Sequence, residues 1–323
     1  MIVSKCPLRI SLVGGSTDLD EFIQRFGRGS VISFPSNLFC YVSIHENNRG
    51  KFILNYSKKE EVDTIDEIKN DVARTVLTHF GVDKPITVSF NTDILTDGSG
   101  LASSSAYTIA LIKAICIYKH HHLSEFEIAK LAIDLERQFN PLTGYQDSYG
   151  CAIGGFKRID FLKDKRPSFT YFDNEFINKH YSMFLIHTGI KRSSTDILKS
   201  IDVEKCLPLL DLVEKTENAI LQGDYQRFEE LLNESWEKKK KTSSLIADSS
   251  ELKKLDDLLS ELRTAGIVRS LKLCGAGGGG YFLVFVTKDK TNDFMSCVSI
   301  EKDRMQSVIS IGINDYGVIG KKI

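Results

Sequence analysis

The sequence predicts an α+β protein, and three observations carry that expectation. Strand-like and helix-like segments are mixed without the strict alternation of a parallel α/β sheet. The 323 residues contain only 6 prolines and no Pro- or Gly/Ser-rich linker, so two domains, if present, must pack closely. An apolar content of 42% beside 26% charged residues is that of an ordinary globular chain.

The elements follow in order. Residues 2–13 read as a strand interrupted at Pro7, followed by a turn at Gly14 and Gly15. FCYVSIH (39–45) and KFILNYS (51–57) flank a polar ENNRG turn, which predicts a hairpin. Helical spacing over 66–80 stops at Gly81, and ITVSFNTDI (86–94) has strand composition. A loop over 95–100 leads into a helix running to about 122. Ser124-x-x-Glu127 is a capping box that opens a helix to about 139, closed by Asn140-Pro141. GYQDSYGCAIGGFKRIDF (144–161) reads as turn, helix and strand. A second half begins near Tyr181 with a strand, then helices over 203–222, 225–242 and 251–265. SLKLCGAGGGGYFLVFV (270–286) reads as two strands around a glycine run. MSCVSI (295–300) and SVISIGIN (307–314) read as further strands or a helix edge. The division expected is 1–180 and 181–323.

Bulk charge excludes some partners. A formal net charge of -1 creates no field that draws the chain to nucleic acid or acidic lipid. The 7 cysteines include no CxxC, which argues against a disulfide framework or a zinc site and fits a reducing compartment. The N-terminus lacks a signal-peptide layout and no apolar run reaches about 18 residues. A cytoplasmic protein with no membrane partner is expected; a homodimer stays open.

The densest chemical signal is DGSGLASSSAYTIALIKAI, which begins at Asp97. Gly98 and Gly100 let backbone approach a ligand, and Ser103, Ser104 and Ser105 put hydroxyls beside the unpaired N–H groups of a helix N-terminus. Together these form a phosphate cradle; the bland alternative is a serine cap on an irregular turn. GxxxxGK[ST] is absent, which excludes a P-loop ATPase. GxGxxG occurs at Gly275, Gly277 and Gly280, but strand-like YFLVFV follows where a dinucleotide fold needs a helix.

The segment GSGLASSS resembles the second motif of the GHMP kinases, with Thr96 and Asp97 where those proteins usually carry proline. CPLRISLVGGSTD (6–18) is similar to their first motif and KLCGAGGGGYFLVF (272–285) to their third, in the same order. The resemblance implies a two-domain GHMP kinase fold, with an N-terminal ribosomal-protein-S5-like domain and a C-terminal ferredoxin-like α/β sandwich. It implies ATP bound by Gly98, Gly100, Leu101, Ala102 and Ser103 to Ser105. It implies Mg²⁺ on Ser104 and Glu136, and Asp147, eleven residues beyond Glu136, as base. Arg9 matches a basic residue that accompanies that aspartate. Alone, Glu136 would be read as a solvated helix charge and Arg9 as an edge-strand charge.

The acceptor is expected against GGSTD, where Gly14 and Gly15 allow close approach and Thr17 and Asp18 can bind hydroxyls. An Asx turn at Asp18 is the alternative. Motif one, HTGIKRSSTDIL and LNESWEKKKKTSSLI are similar to bacterial heptose kinases, which implies a sugar phosphate, D-glycero-D-manno-heptose 7-phosphate, phosphorylated at C1. Lys191 and Arg192 would hold its phosphate but equally fit a solvated loop, and Gly277 and Gly278 complete the expected substrate wall. Rival readings are a kinase for an unphosphorylated sugar such as fucose, and a non-catalytic ligand sensor. Lys238 to Lys241 read as a solvated helix end and Trp236 as a core anchor. His120 to His122 read as favourable charge at a helix C-terminus rather than as metal ligands.

Overall fold

The computed structural model describes residues 1–95, 98–190, 194–305 and 307–323. The first half is built from β1 (Ile2–Val13), α1 (Asp20–Phe26), β2 (Arg28–Glu46), β3 (Phe52–Asn55), β4 (Lys59–Val62), α2 (Asp71–His79) and β5 (Ile86–Thr92). It continues with α3 (Ser103–Tyr118), α4 (Glu125–Glu136), α5 (Gln146–Ala152), β6 (Lys157–Leu162) and β7 (Ser168–Tyr171). The second half comprises α6 (Glu175–Asn178), β8 (Tyr181–His187), α7 (Ser194–Lys199), α8 (Leu207–Gln222), α9 (Tyr225–Lys240) and α10 (Ser250–Thr264). It ends with β9 (Ser270–Leu273), β10 (Tyr281–Thr287), α11 (Thr291–Ile300), β11 (Val308–Ile311) and β12 (Ile319–Lys322).

Two sheets organise these elements. The larger runs β12-β1-β2-β5-β3-β4, with β6 paired to the early part of β2 and β7 paired to β6. The smaller runs β11-β8-β10-β9, all antiparallel. Alternate residues of β10 explain its unbroken apolar run: Tyr281, Leu283 and Phe285 join the large core, while Phe282, Val284 and Val286 join a second core with Trp236 and Phe294. Helix α3 is apolar on every side because it lies in the interior, against β1, β2, α4 and α5. Helices α8 and α9 lie against the first sheet as well as the second half, and β12 carries the chain terminus back to β1.

Several expected elements differ. Pro7 does not break β1: the strand continues through a register shift in which Pro7 faces Phe39 and Arg9 faces Pro35. A bulge tolerates the missing N–H, and Ser36 Oγ donates to the Leu8 carbonyl there at 2.9 Å. The 39–45 and 51–57 strands form no hairpin, because β5 lies between them, antiparallel to β2 and parallel to β3. Helix α2 starts at Asp71 rather than 66, where Asn70 caps it through Ala73 N–H. Helix α3 stops at Tyr118, before the histidines, and His120 takes a left-handed φ of 55°. The 295–300 segment is helical, and α1 was absent from the expectation.

The glycine run between β9 and β10 packs backbone to backbone on the loop before α3. A Cβ at Gly275 would fall 2.5 Å from Gly100 Cα, and one at Gly280 2.4 Å from the Ser99 carbonyl. Both glycines also have positive φ, 72° and 94°. Gly275→Ala is therefore expected to cost about 2–3 kcal/mol of unfolding free energy through strain plus overlap. Urea denaturation of the variant beside Gly223→Ala, a left-handed helix cap with open space around it, checks this; the cap variant should lose about 1 kcal/mol.

Candidate active site

A cleft opens where the end of β1, the loop before α3, α4, the start of α5, α9 and the glycine run converge. The bulge in β1 aims Arg9 into it. Arg9 is 2% exposed and makes two kinds of contact. Its Nε and Nη2 donate to Asp147 Oδ1 at 2.9 and 2.5 Å, and its Nη1 donates to the Gly100 carbonyl at 3.0 Å. Burial opposes the guanidinium charge, but the Asp147 carboxylate outweighs it and holds the Arg9 pKa above its ordinary value. Both donors go to one carboxylate oxygen, Oδ1, and Asp147 lines the cleft.

Asp147 lies in the first turn of α5. Gly150 allows this helix to cross β1 closely, since a Cβ there would sit 3.1 Å from Arg9 Cβ. The far end of α5 is closed by buried Lys157, whose Nζ donates to the Ile153 carbonyl at 2.5 Å and to the Gly155 and Gly154 carbonyls at 3.3 and 3.4 Å. Burial pushes the Lys157 pKa down to about 7.

The loop before α3 turns through positive φ at Gly98, Gly100 and Ala102. Ala102 occupies the N-cap position and has no side chain that could cap the first turn. A capping serine or aspartate would engage those N–H groups, whereas alanine leaves them for an anion. Across from the loop, buried Glu136 accepts from Ser104 Oγ at Oε1, 2.9 Å, and from Ser105 Oγ at Oε2, 2.6 Å. Burial pushes the Glu136 carboxyl up to about 7; the serine hydrogen bonds oppose that rise and the nearby Asp147 adds to it.

The other end of the cleft is lined by Asp18, Gln146 and Lys239. Asp18 accepts from Ser16 N–H at 3.2 Å, Gln146 N–H at 3.0 Å and Gln146 Nε2 at 2.9 Å. Burial, helped by Asp147, raises its pKa. A small recess continues past Gly15, lined by Ser11, Gln146, Lys239 and Lys272. Ser11 Oγ and Gln146 Oε1 are buried there without a hydrogen-bond partner. Lys239 donates to Ser16 Oγ, and Lys272 to the Leu12 carbonyl at 2.7 Å. Burial pushes the Lys272 pKa down to about 7.

Comparison with known proteins shows the family. The chain matches the GHMP kinases N terminal domain over residues 66–155 and the GHMP kinases C terminal domain over 216–302. The chain belongs to the GHMP kinase family. Members are ATP-dependent phosphotransferases with an alcohol acceptor, and this chain is one. It is 26% identical to D-glycero-alpha-D-manno-heptose 7-phosphate kinase of Campylobacter jejuni, over 94% of this chain and 95% of that protein. It is 23% identical to the galactokinase of Thermotoga neapolitana, over 80% of this chain and 71% of that protein. Its fold matches a D-glycero-D-manno-heptose 1-phosphate kinase structure from Bacteroides thetaiotaomicron with TM-score 0.79 at 23% identity, covering 100% and 99% of the two chains. A galactokinase structure from Lactococcus lactis matches with TM-score 0.77 at 16% identity, covering 98% and 95%.

In this GHMP kinase the cleft brings together Arg9, Asp18, Gly98, Gly100, Ala102, Ser103, Ser104, Ser105, Glu136 and Asp147 of the expected set. Gly15 reaches the adjoining recess. Five expected residues serve the frame instead. Thr17 is fully buried, its Oγ1 within 2.8 Å of the Gly14 carbonyl and 2.9 Å of the Ser30 carbonyl. Gly14 packs on the Ser30 backbone, where a Cβ would fall 2.0 Å from the carbonyl. Gly277 and Gly278 face Ile246, not the cleft; Gly278 N–H donates to its carbonyl at 2.8 Å. Leu101 turns its side chain into the core and offers only backbone, its carbonyl accepting from Arg9 N–H at 3.2 Å. Lys191 and Arg192, with Thr96 and Asp97, lie outside the described residues.

Lys239 corrects the reading of 238–241 as a solvated helix end. It is 8% exposed and lies on the inner face of α9, three residues after Trp236 and seven after Leu232. That spacing is the signal that could have found it. Gln146 and Lys272 were also missed, although each lies in a quoted segment, beside Asp147 and at the start of the glycine-rich motif.

The Glu136 carboxyl yields a pH prediction. Between about 4.5 and about 7 the folded protein holds a proton that the unfolded chain has released. Without bound cations, stability should fall as pH rises through that window and level off above it. Glu136→Gln should flatten the window and, above pH 7, raise stability by about 2–3 kcal/mol. Urea titrations of both proteins across pH, in chelator, check this.

Proposed function

We propose that this GHMP kinase phosphorylates the anomeric C1 hydroxyl of D-glycero-D-manno-heptose 7-phosphate, giving the 1,7-bisphosphate for nucleotide-activated heptose synthesis. The observation that carries the reading is the acceptor end of the cleft. Two lysines, Lys239 and Lys272, reach a recess beside the unpartnered Ser11 Oγ and Gln146 Oε1. Buried polar atoms without partners call for a polar ligand, and amines beside them suit one that also carries an anionic group. A sugar that already carries a phosphate supplies both. The likeness to the Campylobacter heptose 7-phosphate kinase over nearly the full chain supports the same acceptor.

In this reading residues 1–180 form one unit and 181–323 the other, with β12 returning to the first sheet. ATP lays its phosphates on the N–H groups and hydroxyls of Ser103, Ser104 and Ser105. Glu136 and Ser104 fit Mg²⁺: the donors are hard oxygens, and a single buried carboxylate suits an ion that shares its shell with phosphates and water. When bound, Mg²⁺ would neutralise charge on the transferring phosphoryl group. Asp147 Oδ2 orients the acceptor hydroxyl and takes its proton as the sugar oxygen bonds to the γ-phosphorus and the bond to the ADP oxygen breaks. Arg9 holds Asp147 by its other oxygen and places positive charge beside the reacting centre. Asp18 keeps an unused lone pair for a sugar hydroxyl. Seven free thiols, six of them buried, suit a reducing cytoplasmic setting.

The galactokinase relatives favour a second reading, an unphosphorylated sugar as acceptor. A panel of free sugars, heptose 7-phosphate and heptose 1-phosphate, assayed by ADP release, separates the two. Turnover confined to heptose 7-phosphate is expected, with the new phosphate at C1 by phosphorus NMR. Turnover on a free hexose at comparable kcat/KM would discard the anionic acceptor. Asp147→Asn should lower kcat about 10²- to 10⁴-fold with ATP still bound. Lys239→Gln should raise the KM for the phosphorylated sugar about 10- to 100-fold, as the loss of a charged hydrogen bond does, and leave the KM for ATP unchanged.

A further inference from the structure

A second cavity of about 470 Å³ lies back to back with the cleft, within the volume range of small-molecule sites. Its floor is aromatic. Tyr145 stacks on Phe161 at 5.6 Å, Tyr149 packs on Phe126 at 5.2 Å, and the Arg166 guanidinium lies 3.7 Å over the Phe126 ring. Its rim is basic, with Lys130, Arg137, Lys163, Lys165 and Arg166 set against Asp20, Asp134 and Asp164. Lys130 and Arg137 are paired with Asp134 and Asp20, at 2.8 and 2.9 Å. Lys163 and Lys165 make no ion pair among the described residues.

The two cavities share their dividing wall. Asp18 faces the cleft and Asp20 the cavity; Glu136 the cleft and Arg137 the cavity; Asp147 the cleft and Tyr145 the cavity. The wall is knit by polar contacts. Arg137 donates to the Thr143 carbonyl at 3.1 and 3.2 Å, Tyr145 Oη donates to Asp20 Oδ1 at 2.6 Å, and Tyr145 N–H donates to the Asp18 carbonyl at 3.2 Å. Arg137 also lies 4.6 Å over the Tyr145 ring.

We infer that this cavity is an effector site for an aromatic anion, a planar ring bearing a carboxylate, sulfonate or phosphate, coupled to the catalytic cleft. The ring packs on Phe126, Tyr149 and Phe161, and the anionic group meets Lys163 and Lys165. Occupancy bears on the segments that carry Asp18, Glu136 and Asp147, so it alters ligand affinity in the cleft, and by linkage cleft ligands alter its own affinity by the same factor. The inference does not depend on which acceptor the kinase uses.

Anilinonaphthalene sulfonate fluorescence tests it on the full chain. One saturable site is expected, weakened at least tenfold in a Lys163→Glu, Lys165→Glu variant. A control with Lys288→Glu and Lys302→Glu, two exposed lysines outside the cavity, should bind as the unaltered protein does. Saturating Mg-ATP, with its own binding verified calorimetrically in every variant, should shift the probe Kd several-fold. Equal binding by both variants, or a probe Kd indifferent to bound ATP, overturns the inference. Unchanged melting temperatures and ATP affinity in the variants exclude misfolding as the cause of lost binding.

Discussion

The buried guanidinium of Arg9 is the constraint on which the rest of the site depends. A charge removed from water needs partners, and each partner of Arg9 belongs to a different part of the chain. Asp147 comes from α5, the Gly100 carbonyl from the loop before α3, and Arg9 itself from β1, next to the edge of the first sheet. One side chain thus sets the distance between Asp147 and the loop before α3. The bulge at Pro7 and Arg9, the Ser36 hydroxyl that serves the displaced Leu8 carbonyl, and the absence of a side chain at Gly150 all accommodate that placement.

The second constraint is backbone contact across the cleft. The glycine run after β9 meets Gly98, Ser99 and Gly100 at distances no Cβ would permit. This contact brings Gly275 and Ala276 to the cleft and lets Lys272, at the end of β9, reach the Leu12 carbonyl. Lys239 arrives from α9 on the same side. The serine loop and Asp147 therefore come from the first half of the chain, while Lys239 and Lys272 come from the second.

Much of this was legible because local chemistry announces itself. GSGLASSS before an apolar run marks the start of α3, and the eleven-residue interval from Glu136 to Asp147 spans a helix end and a turn that bring both to one cleft. The capping box at Ser124 and Glu127 formed as its residues dictate. Trp236 is a core anchor, edge-to-face with Phe282 and donating to Asp256 at 2.9 Å. Other residues misled because their roles depend on what lies across from them. Lys239 looks like its neighbours in a basic run until the helix face is assigned, and Thr17 looks like a ligand donor until the Ser30 backbone closes over it. The expected hairpin failed for the same reason: proximity in sequence did not outweigh the pairing that β5 offers both strands.

By itself, the sequence determined the α+β class, the glycine-serine turn that opens α3, and which serine, glutamate, aspartate and arginine residues meet in one cleft. These follow from short-range spacing and from what each side chain can donate or accept. Only the tertiary structure decided which oxygen of Asp147 is held, which lysines reach the cleft and its recess, and that a second cavity shares the wall of the first. Those are relations between segments far apart in the chain, set by burial and by the requirement that every buried charge find a partner, and no local pattern encodes them.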